Sequence, residues 1–328
     1  MVALTSSAVA SQNPVINPVT GQKAGEGRTV VVFGGSGFIG RYLVPLLARD
    51  GWAVRVAVRS PEKAAFLKTA GDVGQISPLA CDLSKPEMIA RAVSGADVVV
   101  NLVGILFESG SQTFSALQEQ GPGRIASAAR ASGVSRFVQM SAIGADPDSG
   151  ALYASSKGRG EQAVHDVYPD ASIVRPSVVF GREDGFYNRF ADMLPVSPFL
   201  PLVGGGKTLF QPVFVGDVAE ALRRCVNHPE CCGGKTYELG GPDVWSFRAC
   251  LEYLLRVTGK RRLLLNLPFS VAKMQAFFME FLPVPPLTRD QVTMLHSDNV
   301  VSPDAPDLED LGIAPTSMQA IVPEYICR

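Results

Sequence analysis

A chain of 328 residues can bury a sizeable core, as one large domain or two lobes. Thirty Lys and Arg stand against 31 Asp and Glu, a net charge of −1, so there is no field of one sign to draw nucleic acid. The six cysteines contain no C-x-x-C spacing, and His165, His228 and His296 are widely separated, so no metal site is expected and the thiols are expected to stay reduced.

Residues 1–28 are rich in Ser, Ala, Val, Gly and Asn, and the first basic residue is Lys23. They lack the charged start and apolar core of a secretory signal and the Arg-rich pattern of a transit peptide, so a flexible or partner-wrapping arm is expected. From residue 29 strand-like and helix-like segments alternate. Val30–Phe33 reads as a strand and Ile39–Arg49 as a helix, with Pro45 expected to kink it. Ala53–Val58, Gln75–Ala80, Asp97–Leu102, Arg136–Met140 and Ser172–Val174 read as further strands. Pro61–Thr69, Pro86–Val93 and Tyr153–Val167 read as helices. Phe114–Ala131 is helical in pattern, but Gly121-Pro122-Gly123 is expected to break it, with Pro122 in the first turn of a second helix.

This alternation predicts an α/β fold, a Rossmann-type doubly wound parallel sheet over residues 29–180. After Phe180 the texture changes, with prolines 195, 198 and 201 followed by Gly204-Gly205-Gly206. Gln211–Val215 and Thr236–Leu239 read as strands, and Asp217–Val226 as a helix capped by Asp217. Residues 181–328 are therefore expected to form a smaller, mostly helical C-terminal lobe, with about 207–240 returning to the main sheet. No run of 18 apolar residues predicts a transmembrane helix.

Gly34-Gly35-Ser36-Gly37-Phe38-Ile39-Gly40 lies between the first strand and its helix. It fits G-x-G-x-x-G from Gly35 and G-x-x-G-x-x-G from Gly34. In either register the early glycines permit a sharp turn beside a pyrophosphate, Gly40 allows close strand–helix packing, and the helix N-terminus faces the anion. The second strand ends in Arg59, where NAD-preferring sites place an acidic residue. A guanidinium there suits a 2′-phosphate, so NADPH is the expected nucleotide; a solvated surface arginine is the plainer alternative. Asp82 and Leu83 close the third strand and are candidates for the adenine. Val103, after the fourth strand, should border the cofactor, because ligands lie outside the carboxyl ends of parallel strands. Ser141 ends the fifth strand, and Tyr153 and Lys157 share one helix face twelve and sixteen residues later. A lysine beside a phenol lowers its pKa, making it a general acid or base, and a serine hydroxyl orients a carbonyl.

Taken together, Gly34–Gly40, Ser141 and Tyr153-Ala154-Ser155-Ser156-Lys157 resemble the extended or atypical short-chain dehydrogenase/reductase superfamily, over roughly residues 29–325. Further segments resemble one branch of it: Phe180–Asp184, Asn188–Ala191, Phe210–Val213, Tyr237–Asp243, Leu287–Val292 and Leu308–Ile313. That branch is the NADPH-binding accessory subunits of respiratory complex I and their bacterial relatives. The resemblance implies a nucleotide held for structure and assembly. It also implies docking on other complex I subunits near the junction of the peripheral and membrane arms. The location implied is peripheral on the inner membrane, at its cytoplasmic face in a bacterium or its matrix face in a mitochondrion. Ser141, Tyr153 and Lys157 are all present, so a working NAD(P)-dependent reductase, dehydrogenase or epimerase stays open.

The C-terminal lobe bears on that choice. Residues 269–282 are helical in pattern, with Ser270, Lys273 and Glu280 forming only a narrow polar stripe. Such a helix is either buried core or faces a partner or membrane surface.

Overall fold

The computed structural model describes residues 13–16 and 21–326. Its centre is a seven-stranded parallel sheet. The strands are β1 (Thr29–Phe33), β2 (Ala53–Val58), β3 (Ile76–Ala80), β4 (Val98–Asn101), β5 (Arg136–Met140), β6 (Ser172–Pro176) and, last in sequence, Thr236–Leu239. From one edge the order is Thr236–Leu239, β6, β5, β4, β1, β2, β3, so β2 and β3 are added on one side of β1 and the later strands on the other, the switch falling between β1 and β4. Val30 pairs with Val54 on one side and Val98 on the other, both in parallel register. Valine runs suit these strands because helices cover both faces.

On one face α1 (Gly40–Arg49) and α6 (Val215–Asn227) bury Leu43, Val44, Leu47, Val218 and Leu222 against Val30, Val32 and Val98. On the other face α2 (Pro86–Val93), α3 (Gln120–Ala131) and α4 (Leu152–His165) bury Ile89, Ile125 and Val164 against Val31, Phe33 and Val99. A 3-10 stretch over Pro61–Ala70 follows β2.

Two local expectations are corrected. The Gly121-Pro122-Gly123 triplet does not interrupt the helical run, because the π-helical turn Ser115–Glu119 leads directly into α3; Pro122, its third residue, does lie in the first turn of that second helix, as expected. A wider turn absorbs the missing amide donor and the ring, which an α-helical interior cannot do. Asp217 is not a cap, because α6 starts two residues earlier. Its carboxylate instead accepts from Thr316 N at 2.7 Å and Thr316 Oγ1 at 3.0 Å, tying the chain's tail to α6, and burial pushes its pKa up to about 6.

Within the N-terminal arm, residues 1–12 and 17–20 lie outside the described residues. The remaining pieces are tied down. Val15 N donates to Asp50 Oδ1 at 2.8 Å, Gly25 N to the Asp50 carbonyl at 2.8 Å, and Arg223 Nη2 to the Asn13 carbonyl at 2.6 Å. Asp50 and Arg223 form a fully buried ion pair at 2.6 Å, which Asn227 joins at 2.7 Å. Such a pair is tolerated because its hydrogen bonds are made.

The C-terminal region packs a separate core around Phe180, Tyr187, Leu200, Phe210, Phe247 and Leu251. Its helices are α5 (Tyr187–Met193), α8 (Phe247–Thr258), α9 (Phe269–Met279), α10 (Arg289–Met294) and α11 (Met318–Ile326), whereas the one-turn α7 (Pro229–Cys232) follows α6 and adds Cys232 to the core of the main sheet. Two parallel strands, Phe199–Val203 and Leu263–Leu267, brace them. Among the described residues no helix is long and apolar enough to cross a membrane.

Candidate functional site

A cavity of about 1320 Å³ opens along the carboxyl ends of β1, β2, β4 and β5 and continues beneath the C-terminal helices. Gly34, which has φ 73°, makes the turn out of β1; its amide donates to the Ala57 carbonyl at 3.1 Å, and its carbonyl accepts from Gly37 N at 3.0 Å. Only glycine adopts this conformation without strain. A Cβ on Gly35 would meet Val32 and Val56 side chains at 3.0 Å, and one on Gly40 would fall on the backbone of Gly35. Gly34, Gly37 and Gly40 thus make the turn in the G-x-x-G-x-x-G register, and Gly35 packs beneath it. Gly34, Ser36, Gly37, Phe38, Ile39 and Gly40 line the cavity, whereas Gly35 backs the loop from below.

Arg59 is exposed at the end of β2 and lines the same cavity with Asp82, Leu83 and Val103. The Asp82 carboxyl is held below the usual carboxylate range, first by the Ser84 amide and hydroxyl at 2.9 and 2.8 Å, with Arg59 contributing less.

The fifth strand and α4 bring Ser141, Tyr153 and Lys157 to the cavity wall. Ser141 is 4 % exposed, and its Oγ has no hydrogen-bond partner among the described residues. A buried unsatisfied hydroxyl costs about 1–3 kcal/mol, which an acceptor on a bound molecule would recover. Lys157 is buried, and its Nζ donates to the Met140 carbonyl at 3.3 Å. Burial pulls the ammonium down to about 8, while Glu161 one turn on pushes it back up. Tyr153 packs edge-on to Phe114 at 6.0 Å, and burial pushes its phenol up to about 12. The expected depression of the phenol by Lys157 is therefore absent: desolvation dominates, and the phenol is protonated at neutral pH.

Two residues essential to this geometry escaped the sequence reading. Gln118, in the π-helical turn, is buried; its Oε1 accepts from Ile105 N at 2.8 Å and its Nε2 donates to Ser156 Oγ at 3.0 Å. It links the loop after β4 to the Tyr153 helix. Asp290 of α10 caps α4, its carboxylate accepting from Leu152 N at 2.6 Å and Tyr153 N at 3.0 Å. The C-terminal region thereby holds the helix that carries Tyr153 and Lys157. The signal within reach was Thr288-x-x-Gln291, a capping box that fixes the start of α10. Asp290→Ala is expected to cost about 0.5–2 kcal/mol, as lost N-caps do. It should also weaken nucleotide binding; unchanged thermal melting and unchanged calorimetric affinity would exclude this clamp.

A family model described as NAD(P)H-binding matches residues 34–189. The chain is 34% identical over 319 residues to NADH dehydrogenase (ubiquinone) 1 alpha subcomplex subunit 9, mitochondrial, of Arabidopsis thaliana, covering 94% of this chain and 79% of that protein. It is 35% identical over 305 residues to the Rattus norvegicus protein of the same name, with 91% and 80% covered. The chain belongs to the subunit 9 family. Its Gly34–Gly40 end of the cavity accordingly sits in an NAD(P)H-binding domain. Solved structures share the fold: a Citrobacter sp. triphenylmethane reductase superposes with a TM-score of 0.74 at 19% identity, covering 92% of this chain and 100% of that one. A Staphylococcus aureus nucleoside-diphosphate-sugar epimerase gives 0.71 at 15%, with the same coverage.

Proposed function

We propose that this member of the subunit 9 family is an NADPH-binding accessory subunit of respiratory complex I, in which the nucleotide is held for structure and assembly. The observation that carries the reading is the combination of a complete nucleotide cradle with an apolar helix in the second lobe whose large side chains face outward. The curated relatives are named as complex I subunits over nearly the whole chain. In this reading residues 29–180 form the nucleotide domain and 181–328 the docking lobe, with about 207–240 completing the sheet. The backbone amides of Gly34–Gly40 and the α1 N-terminus hold the pyrophosphate, Arg59 pairs with the 2′-phosphate, and Leu83 and Val103 flank the rings. Lys157 donates to the ribose hydroxyls, and Ser141 Oγ and the Tyr153 phenol face the nicotinamide. The nucleotide supplies a transferable hydride when bound. The partners are other complex I subunits near the junction of the arms, and the location is peripheral on the inner membrane.

Charge-assisted contacts to a phosphate contribute about 1.5–3 kcal/mol. Arg59→Glu is therefore expected to lower NADPH affinity at least about tenfold, a loss of about 1.4 kcal/mol, and NADH affinity far less. Equal losses for both nucleotides by calorimetry would remove this role and the NADPH preference with it.

A second reading, a working NAD(P)-dependent reductase, is favoured by the intact Ser141, Tyr153 and Lys157 and by the unpartnered Ser141 Oγ. A protonated phenol at pH 7 can give a proton to a carbonyl oxygen. Under the accessory-subunit reading Tyr153→Phe keeps both nucleotide and complex assembly, and Lys157→Ala loses both more readily. A robust NADPH-dependent rate on a carbonyl compound that Tyr153→Phe abolishes would establish the enzyme instead.

A further inference from the structure

The cavity is larger than a nucleotide needs: ligand pockets commonly measure about 300–1,000 Å³, against about 1320 Å³ here. Beyond Ser141 and Tyr153 its walls come from the C-terminal lobe and change character, with Phe186, Phe190, Phe210, Phe247, Met279 and Leu287 supplying apolar surface. Two cations interrupt that surface. Arg189 of α5 is half-buried and donates to the Pro285 carbonyl at 2.7 Å, with no carboxylate paired to it among the described residues. Lys273 of α9 lines the cavity while remaining exposed, which places it at the mouth.

The carboxylates that share these walls are already engaged. Asp290 accepts from the amides of Leu152 and Tyr153, and Asp298 accepts from Leu209 N at 2.8 Å. Burial pulls the Arg189 guanidinium below its ordinary range, and no neighbouring anion offsets this. A half-buried guanidinium keeps its charge, so an anion brought beside it would gain a strong pairing. The loop that accepts from Arg189 follows α9; Phe278 on the helix and Phe281 in the turn just beyond it face outward and are 66 % and 76 % exposed. Apolar surface therefore runs from the outside of α9 to the cavity through one helix, since Met279 lines the interior next to exposed Phe278.

We propose that this half of the cavity holds one anionic amphiphile, its apolar chain against the phenylalanines and its phosphate or carboxylate head at Arg189 and Lys273. This rests on the nucleotide occupying the other half. Arg189 is thus a binding residue for a second ligand, delivered across the apolar face of α9. The same head chemistry is carried by a membrane lipid and by a free phosphate compound, and the apolar walls favour the lipid.

The test uses the full chain with NADPH bound, and calorimetry with monomeric 1-lauroyl lysophosphatidate, the neutral monolauroylglycerol and glycerol 3-phosphate. Lysophosphatidate is expected to bind saturably near one per chain, at least tenfold more tightly than either of the others. Arg189→Met should weaken it tenfold or more, Arg189→Lys should restore most of that, and Phe278→Glu with Phe281→Glu should leave it unchanged. Equal affinity for lysophosphatidate and monolauroylglycerol, or for lysophosphatidate and glycerol 3-phosphate, overturns the proposal. If Arg189→Met fails to retain NADPH, exposed Lys273→Gln decides: a several-fold loss supports the site, and no loss overturns it. Failure of the wild-type chain to bind NADPH would instead count against the nucleotide reading, because lysophosphatidate is also titrated into the nucleotide-free chain.

Discussion

Gly40→Ala is expected to abolish nucleotide binding, lowering NADPH affinity by at least about two orders of magnitude, the equivalent of about 2.8 kcal/mol. The added methyl would land on the backbone of Gly35, not on a side chain that can rotate away. Relief requires moving α1 away from β1 or unwinding the turn at Gly34, and either displaces the amides proposed to hold the pyrophosphate. Overpacking of this kind costs about 1–3 kcal/mol, so the melting temperature should fall as well. Gly74→Ala serves as a control for the loss of a glycine, since a Cβ there meets nothing and only its φ of 82° is strained. It should lose stability without losing nucleotide. A Gly40→Ala protein that binds NADPH normally would show that the loop is not the pyrophosphate site.

The second large effect concerns α9. This helix seats on the lobe through two small residues, Ala272 and Ala276, buried against Val203 and Val292. Met274, Phe277, Phe278, Phe281 and Leu282 are left exposed. Large side chains out and alanines in is the reverse of a helix that serves its own core. Contiguous exposed apolar surface marks an interaction site, and Pro283-Val284-Pro285-Pro286 ends the segment abruptly. Covering two phenylalanine rings contributes about 3–6 kcal/mol. Phe278→Glu together with Phe281→Glu is therefore expected to release the protein from membranes, a loss of about a hundredfold or more in partition. NADPH affinity should survive, because both positions already face solvent and lie apart from the nucleotide loop. Retained membrane association in the double variant, read by flotation, would show that another surface makes the contact.

Much of the nucleotide half was legible in the sequence because its determinants are local. Strand, glycine turn and helix follow one another within twelve residues, and Ser141, Tyr153 and Lys157 lie on one strand end and one helix face. What escaped depended on contacts between distant segments. Asp290 reaches α4 across 137 residues, so no spacing rule could connect them. Pro122 was legible as a helix breaker, but the π-helical turn that accommodates it is set by packing between α3 and α4. The phenol of Tyr153 is pushed upward because burial, invisible in sequence, penalises its charged form. For α9 the pattern alone left core and docking open: a helix apolar nearly all round gives no face to choose, and only the placement of Ala272 and Ala276 decides which side turns inward.

The central claim is that this chain is a nucleotide-carrying subunit and not a free enzyme. Native membranes from the source organism, solubilised in mild detergent and resolved under non-denaturing conditions, test it most directly when the chain and its acid-extracted nucleotide are followed together. The chain is expected to migrate with NADH:ubiquinone oxidoreductase activity and to carry equimolar NADPH. A chain recovered entirely apart from that activity, or one whose extract contains NADH in place of NADPH, would contradict it.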